Sequence, residues 1–246
     1  MRQENVRSKS PGEVPLKSEV VEFDQYAENY DAALVHLSWA SERREDFAAR
    51  RIEWLGAQLK KIGVAPKRVM DFGCGTGSSI PFLFSVLGVE SVIAVDVSRK
   101  SLEVAERNYG SGRVQFVPYD EYEPREPLDL VFCNGVFHHI PVIERAGAIN
   151  LVRNSLGSGG LFALWENNPW NPVIQLLMAL APIDRDAIKL LPSETRRLLD
   201  AGGFEVMQTD FLFIFPRLLR WFRVLEPYVA RMALGLQYQV LAKKKL

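Results

Sequence analysis

Four polar side chains in this sequence stand where short apolar runs break off. They are Asp71 after R-V-M, Asp96 after S-V-I-A-V, Asn134 after L-V-F-C and Glu166 after F-A-L-W. Asp71 passes straight into Gly73, Gly75 and Gly77 in the string D-F-G-C-G-T-G. Glycine accepts positive φ and lets a ligand approach bare backbone, and the N–H groups opening the following helix favour negative charge. A dinucleotide fingerprint, G-x-G-x-x-G, carries a pyrophosphate on such a turn. Here the acid precedes the turn, where it would repel a pyrophosphate and would suit a cationic group such as an ammonium. The amide of Asn134 offers two donors and an acceptor for orienting a ligand. His138 and His139, two of the three histidines, follow it and could remove a proton from a hydroxyl held within hydrogen-bond reach. Glu166 is a third candidate base. For both histidines the reading preferred to a base is a role in shaping the pocket wall.

These groups need a scaffold that brings strand ends together. Apolar runs at Arg68–Phe72, Ser91–Val95, Val114–Val117, Leu128–Cys133 and Leu161–Trp165 read as strands, followed by Phe204–Phe215 and Leu236–Ala242. Between them, helices are expected over Ser78–Leu87, Arg99–Tyr109 and Ile143–Leu156, with Ser98 as the cap of the second. Glu42–Lys61 reads as a longer helix ended by Gly63 and Pro66, Val173–Leu180 as a short apolar one, and Ser193 as the cap of another through Asp200. The G-S-G-G string before the fifth strand reads as a turn. Phe23, Tyr26, Ala27 and Tyr30 fall at helical spacing in F-D-Q-Y-A-E-N-Y-D. Strand alternating with helix five times argues for a parallel sheet wound on both faces.

The stretch V-M-D-F-G-C-G-T-G closely resembles motif I of the class I S-adenosylmethionine (AdoMet)-dependent methyltransferases, in particular their small-molecule, quinone- and lipid-methylating bacterial members. The resemblance implies a Rossmann-like sheet of seven strands, order 3-2-1-4-5-7-6 with strand 7 antiparallel, helices on both faces and a helical cap. It implies AdoMet as cofactor, converted to S-adenosylhomocysteine, held by the turn residues Asp71, Gly73, Cys74 and Gly75. The string I-A-V-D-V-S matches the family's acidic position, so Asp96, with Val97 beside it, is expected at the ribose. A carboxylate's two oxygens match a vicinal diol. Asn134 matches the family position after strand 4. Asp120 is the nearest match to the residue beside the adenine amine, although E-Y-E-P-R-E-P departs from the family pattern and a solvated acidic loop competes. Tyr30 matches a tyrosine that reaches the cofactor's carboxylate end, and a plain amphipathic helix over the core is the alternative. The E-N-N-P-W-N-P and P-I-D-R-D-A stretches also occur in bacterial methyltransferases of undefined substrate.

Composition narrows the field further. The 246 residues, 48% of them hydrophobic, suffice for one α/β domain. A polar tail is expected over 1–18 and a single domain over 19–246, with cap segments at 23–62, 167–192 and 216–234. Thirty basic residues balance thirty acidic ones, and N-G-V-F replaces the Asn-Pro-Pro-aromatic string of nucleic-acid methyltransferases, so a nucleic-acid partner is not expected. Two cysteines, Cys74 and Cys133, make neither a disulfide framework nor a metal cluster. No metal is expected, nor a membrane span, and a cytoplasmic location is. Arg217, Arg220 and Arg223 recur every third residue among Leu218, Trp221 and Phe222, a stripe that on a helix could rest on anionic lipid, although packing of the cap onto the sheet is the preferred reading of this segment. The expected function is methyl transfer from AdoMet to a hydroxyl or amine of a small, largely apolar molecule. Two alternatives stand beside it: a non-catalytic AdoMet-binding protein, and an enzyme acting on a membrane-associated lipid or quinone.

Overall fold

A computed structural model of the chain describes residues 44–180 and 187–246. The proposed 1–18 tail, the aromatic segment from Phe23 with Tyr30, Trp39, and most of P-I-D-R-D-A lie outside the described residues.

Seven strands form one sheet in the order β3-β2-β1-β4-β5-β7-β6. They are β1 (Arg68–Phe72), β2 (Ser91–Asp96), β3 (Val114–Pro118), β4 (Leu128–Asn134), β5 (Leu156–Asn167), β6 (Phe204–Leu212) and β7 (Gln237–Lys244). Pairing is parallel from β3 to β5, and β7 runs antiparallel to both β5 and β6. The expected strand order and direction are therefore those of the molecule.

Among the described residues seven α-helices follow in chain order: α1 (Arg44–Lys61), α2 (Ile80–Leu87), α3 (Arg99–Tyr109), α4 (Arg145–Ser155), α5 (Pro172–Leu180), α6 (Pro192–Ala201) and the single turn α7 (Glu226–Val229). Side chains alternate across the strands, so the sheet carries two cores. Ile52, Leu55 and Leu59 of α1, Ile80 and Leu83 of α2 and Leu102 of α3 pack on one face with Val69, Val92, Phe132 and Trp165. Ala148, Ile149 and Val152 of α4 and Leu199 of α6 pack on the other with Met70, Phe72, Val131 and Phe162. The chain doubles back between β1 and β4, and open α/β sheets bind ligands at the carboxyl ends of strands beside such a point.

Three of the boundaries that differ from expectation have a visible local reason. β6 stops at Leu212, not at Phe215, because Phe213 adopts φ 63° and Ile214 donates its N–H to Glu226 Oε1 at 2.8 Å. The same buried carboxylate accepts from Arg50 Nη2 at 2.6 Å, tying the insertion before β7 to α1. The G-S-G-G string is part of β5, which pairs Leu156 with Leu128 and shifts register before Leu161. Helix α6 begins with Pro192 in its first turn, and Glu194 Oε2 accepts the Leu191 N–H at 2.8 Å. Glu194 therefore does the capping expected of Ser193.

Candidate active site

The β1–α2 turn is built on positive φ at Gly73 (74°), Gly75 (52°) and Gly77 (83°). At Gly73 a Cβ would lie 2.2 Å from Val136 Cγ2, so this glycine lets the turn close on the loop after β4. Few of the turn's donors point outward. Gly73 and Cys74 give their N–H groups to Val95 O at 2.8 and 3.1 Å, and Gly77 gives its own to Cys74 O at 3.0 Å. Gly75 N–H goes to Asp96 Oδ2 at 2.7 Å, while Ser98 N–H goes to Asp96 Oδ1 at 2.9 Å. One turn N–H, that of Gly75, thus finds a negative charge inside the chain, at Asp96. A carboxylate has about four lone-pair sites, and these two bonds use one on each oxygen. Ser98 Oγ in turn accepts from Ser101 N at 3.0 Å, the cap expected for α3.

Asp71 and Asn134 share a face of the sheet. Asp71 is in register with Phe132, two residues before Asn134, and alternate residues of a strand point the same way. Asp71 is buried, and Asn134 Oδ1 is buried without a hydrogen bond. That unmet acceptor beside a buried carboxylate fits the ammonium of an amino-acid moiety, so the residues present accommodate the cofactor that the resemblance implies.

Glu166 takes a different position from the one expected. Asn134 is in register with Trp165, so the next residue, Glu166, faces the opposite side of the sheet, level with Tyr238. Glu166 is 1% exposed. Its Oε1 accepts from Phe137 N at 2.8 Å and its Oε2 lies 2.5 Å from His138 Nδ1. It does not emerge toward a substrate; it is a buried carboxylate that holds the loop after β4. His138 is 4% exposed and is fixed on that carboxylate, which argues against direct contact with an acceptor. His139 is partly exposed, and its ring lies against His138 with centroids 4.1 Å apart. Of the three candidate bases, His139 is the one that is not buried.

Asp120 sits in a 3₁₀ turn after β3, exposed and paired through both oxygens with Arg99 Nη2 at 3.0 and 3.1 Å. The solvated-loop alternative describes this placement better than an adenine contact. Beside it the half-buried Tyr119 ring packs edge-on against Phe72, 5.9 Å between centroids.

Two supporting residues went unnoticed in the sequence. Gly135, at φ 68°, turns the chain after Asn134 and donates to Trp165 O at 2.9 Å; the Asn-Gly pair was a readable turn signal. Arg145 is buried at the start of α4, where Nε donates to Ile140 O and Nη2 to Ile188 O, both at 3.0 Å. Burial lowers its pKa while the Glu166 and Glu194 carboxylates oppose that shift. Ile188 N–H donates to His138 O at 2.8 Å, so one buried guanidinium pins both the histidine loop and the segment before α6. Burial, and then the Glu166 and Asp71 carboxylates, push the Cys133 thiol well above its ordinary range. Among the described residues no group of three or more His, Cys, Asp or Glu side chains could hold a metal ion, and no helix is long and apolar enough to cross a membrane.

Residues 69–160 match the family described as a methyltransferase domain. Over 122 residues the chain is 30% identical to the trans-aconitate 2-methyltransferase of Rhizobium leguminosarum bv. trifolii, covering 49% of this chain and 45% of that one. It is 25% identical over 164 residues to the malonyl-[acyl-carrier protein] O-methyltransferase 2 of Coxiella burnetii, covering 62% and 59%. The chain spans about half the length of the first curated relatives it matches. A TehB-like SAM-dependent methyltransferase from Corynebacterium glutamicum has the same fold, with a TM-score of 0.58 at 17% identity over 90% of this chain and 99% of that one.

Proposed function

Because residues 69–160 are a methyltransferase domain of the class I, AdoMet-dependent type, we propose that the protein methylates an oxygen or nitrogen of a small, largely apolar molecule. The observation that carries this reading is Asp96. The Gly75 N–H of the glycine turn and the Ser98 N–H after β2 each hold one of its oxygens, which fixes at the end of β2 a carboxylate whose two oxygens match a vicinal diol.

Asp96 would take the ribose hydroxyls of AdoMet, with Val97 beside them. Gly73, Cys74 and Gly75 would lie along the amino-acid arm, and Asp71 and Asn134 would receive its ammonium. Bound AdoMet supplies an electrophilic methyl group on a sulfonium. The chain's own work is to align the acceptor and exclude water, which is proximity and orientation. If the acceptor is a hydroxyl, its proton goes to the His139 ring. The His138–Glu166 pair behind His139 fixes the loop that carries it, so Glu166 and His138 act as positioning residues.

A second reading concerns the acceptor atom. Two matching relatives are named for trans-aconitate and for a malonyl group on a carrier protein, both of which bear carboxylates. A carboxylate is already deprotonated and would need no base. A non-catalytic AdoMet-binding protein is the reading to exclude first.

Calorimetry with AdoMet and NAD, followed by mass spectrometry of small-molecule extracts incubated with protein and methyl-labelled AdoMet, tests all three. AdoMet binding with a labelled product supports the proposal. NAD binding alone would overturn it, and AdoMet binding without turnover on any extract would leave a binding protein.

A further inference from the structure

We propose that the ridge formed by residues 217–228 is a docking surface for an anionic lipid bilayer. Arg217–Leu225 is 3₁₀-helical, with a distortion at Leu219 (φ −104°, ψ 25°). In that geometry residues three apart eclipse one another, so beyond the distortion Trp221 and Val224 share one face and Phe222 and Leu225 another. Phe222, half exposed, packs on Phe215 with centroids 5.9 Å apart. Arg217 and Arg220 are exposed, whereas Arg223 is partly buried and donates from Nε to Phe215 O at 3.3 Å. Leu218, Trp221 and Val224 face outward: Leu218 is 86% and Trp221 72% exposed. Tyr228 on the following turn is also strongly exposed.

Outward leucine, tryptophan and valine beside the exposed Arg217 and Arg220 match what an interfacial helix presents to lipid. The apolar groups enter the acyl boundary while the cations meet headgroup phosphates. Arg220 already lies over the Trp221 ring at 4.9 Å, so both can enter the interface together. Charge selects the occupant. Within 217–228 the one acid, Glu226, is buried and bound to Arg50 at 2.6 Å, so the exposed charges of this segment are the Arg217 and Arg220 guanidiniums. A partner of opposite sign with no defined shape suits a thin ridge better than a groove-forming protein would. The ridge lies between β6 and β7, at the end of the sheet that carries the glycine turn, so docking would turn that end toward the bilayer. The inference rests on surface composition and stands apart from the methyl-transfer reading.

Flotation of the full chain with vesicles of phosphatidylcholine alone, or with about a third phosphatidylglycerol, tests it. Enrichment on the anionic vesicles only, reduced by high salt, is expected. Arg217→Glu with Arg220→Glu should lower that enrichment at least tenfold, and Trp221→Ala should lower it severalfold with far-UV circular dichroism unchanged. Absence of enrichment at low salt would overturn the proposal, as would equal enrichment of the charge-reversed variant. So would a wild-type dimer that Trp221→Ala converts to monomer while vesicle binding is nil, because the ridge would then belong to a second copy of the chain.

Discussion

The Gly75 N–H donates to Asp96 Oδ2 at 2.7 Å, so the acid ending β2 closes the turn that follows β1. One carboxylate thereby holds the turn and, in the proposed function, reads the cofactor's ribose. Asp96→Ala removes both contributions at once. Hydrogen bonds to charged groups are worth about 1.5–3 kcal/mol, so AdoMet affinity should fall roughly ten- to two-hundredfold. Calorimetry checks this, and an affinity within twofold of wild type would separate Asp96 from the cofactor.

Gly73 gives a steric test of the same turn. A Cβ there meets Val136 Cγ2 at 2.2 Å and sits at φ 74°. Gly73→Ala should therefore cost about 1–3 kcal/mol, visible as a lowered melting temperature, and should weaken AdoMet binding. Adding Val136→Ala should recover the steric part and leave the backbone part. Gly75→Val, at φ 52°, should abolish binding because a branched side chain would stand in the space the arm needs. A Gly73→Ala protein that melts like wild type would show that the turn and the β4 loop can part without cost.

The scaffold was legible because it is written in local patterns. Arg68–Phe72 and Arg99–Tyr109 keep the bounds their sequences predict, since apolar runs and a serine cap act within a few residues. The misreadings come from long-range partners. Phe213 leaves β6 because Glu226, far along the chain, takes the next N–H. Asp120 is drawn to the surface by Arg99, and nothing in E-Y-E-P-R-E-P announces that partner. Glu166 follows F-A-L-W as a strand-end acid should, yet which face it takes depends on the register of β5 against β4. A shift of one residue would have pointed it the other way.

The histidine loop can be tested by separating rate from binding. His139→Ala should lower kcat by about 10²–10⁴ on a hydroxyl acceptor if its ring takes the proton, with AdoMet affinity unchanged. Glu166→Gln should act on the loop instead. It replaces the oxygen pair serving Phe137 N and His138 Nδ1, so a loss of about 1.5–3 kcal/mol in stability is expected. Denaturant titration reads the second effect and turnover the first. A kcat within a few-fold of wild type for His139→Ala would assign that ring to the pocket wall.

Cys133 should be chemically silent. It is fully buried, and both burial and the nearby carboxylates favour its neutral thiol, whereas the thiolate is the reactive form. A disulfide-exchange reagent at pH 8 should leave it unlabelled in the native protein and label it on unfolding. Prompt native labelling at Cys133, located by peptide mass spectrometry, would mean that the strand end opens.

The acceptor's chemistry should follow from what encloses the carboxyl ends of the strands. The β5–α5 loop is stitched to the segment before β7: Asn168 Nδ2 donates to Gly235 O at 2.8 Å and Asn171 Nδ2 to Leu234 O at 2.7 Å. Trp170 stacks on Phe211 at 6.2 Å and 28°, which places an indole half in solvent beside the end of β6. Leu176 and Val173 of α5 are exposed as well. Side chains of this kind gain about 1.5–3 kcal/mol each when a ligand covers them. An apolar acceptor should therefore lose roughly tenfold or more in apparent affinity in Trp170→Ala, with the AdoMet dissociation constant unchanged. A small polycarboxylate acceptor should be indifferent to the same substitution. Kinetics with one acceptor of each type, at saturating AdoMet, distinguish them. Turnover confined to the polycarboxylate, with Trp170→Ala and His139→Ala both near wild type, would exclude the apolar hydroxyl acceptor and leave carboxylate methylation as the reaction.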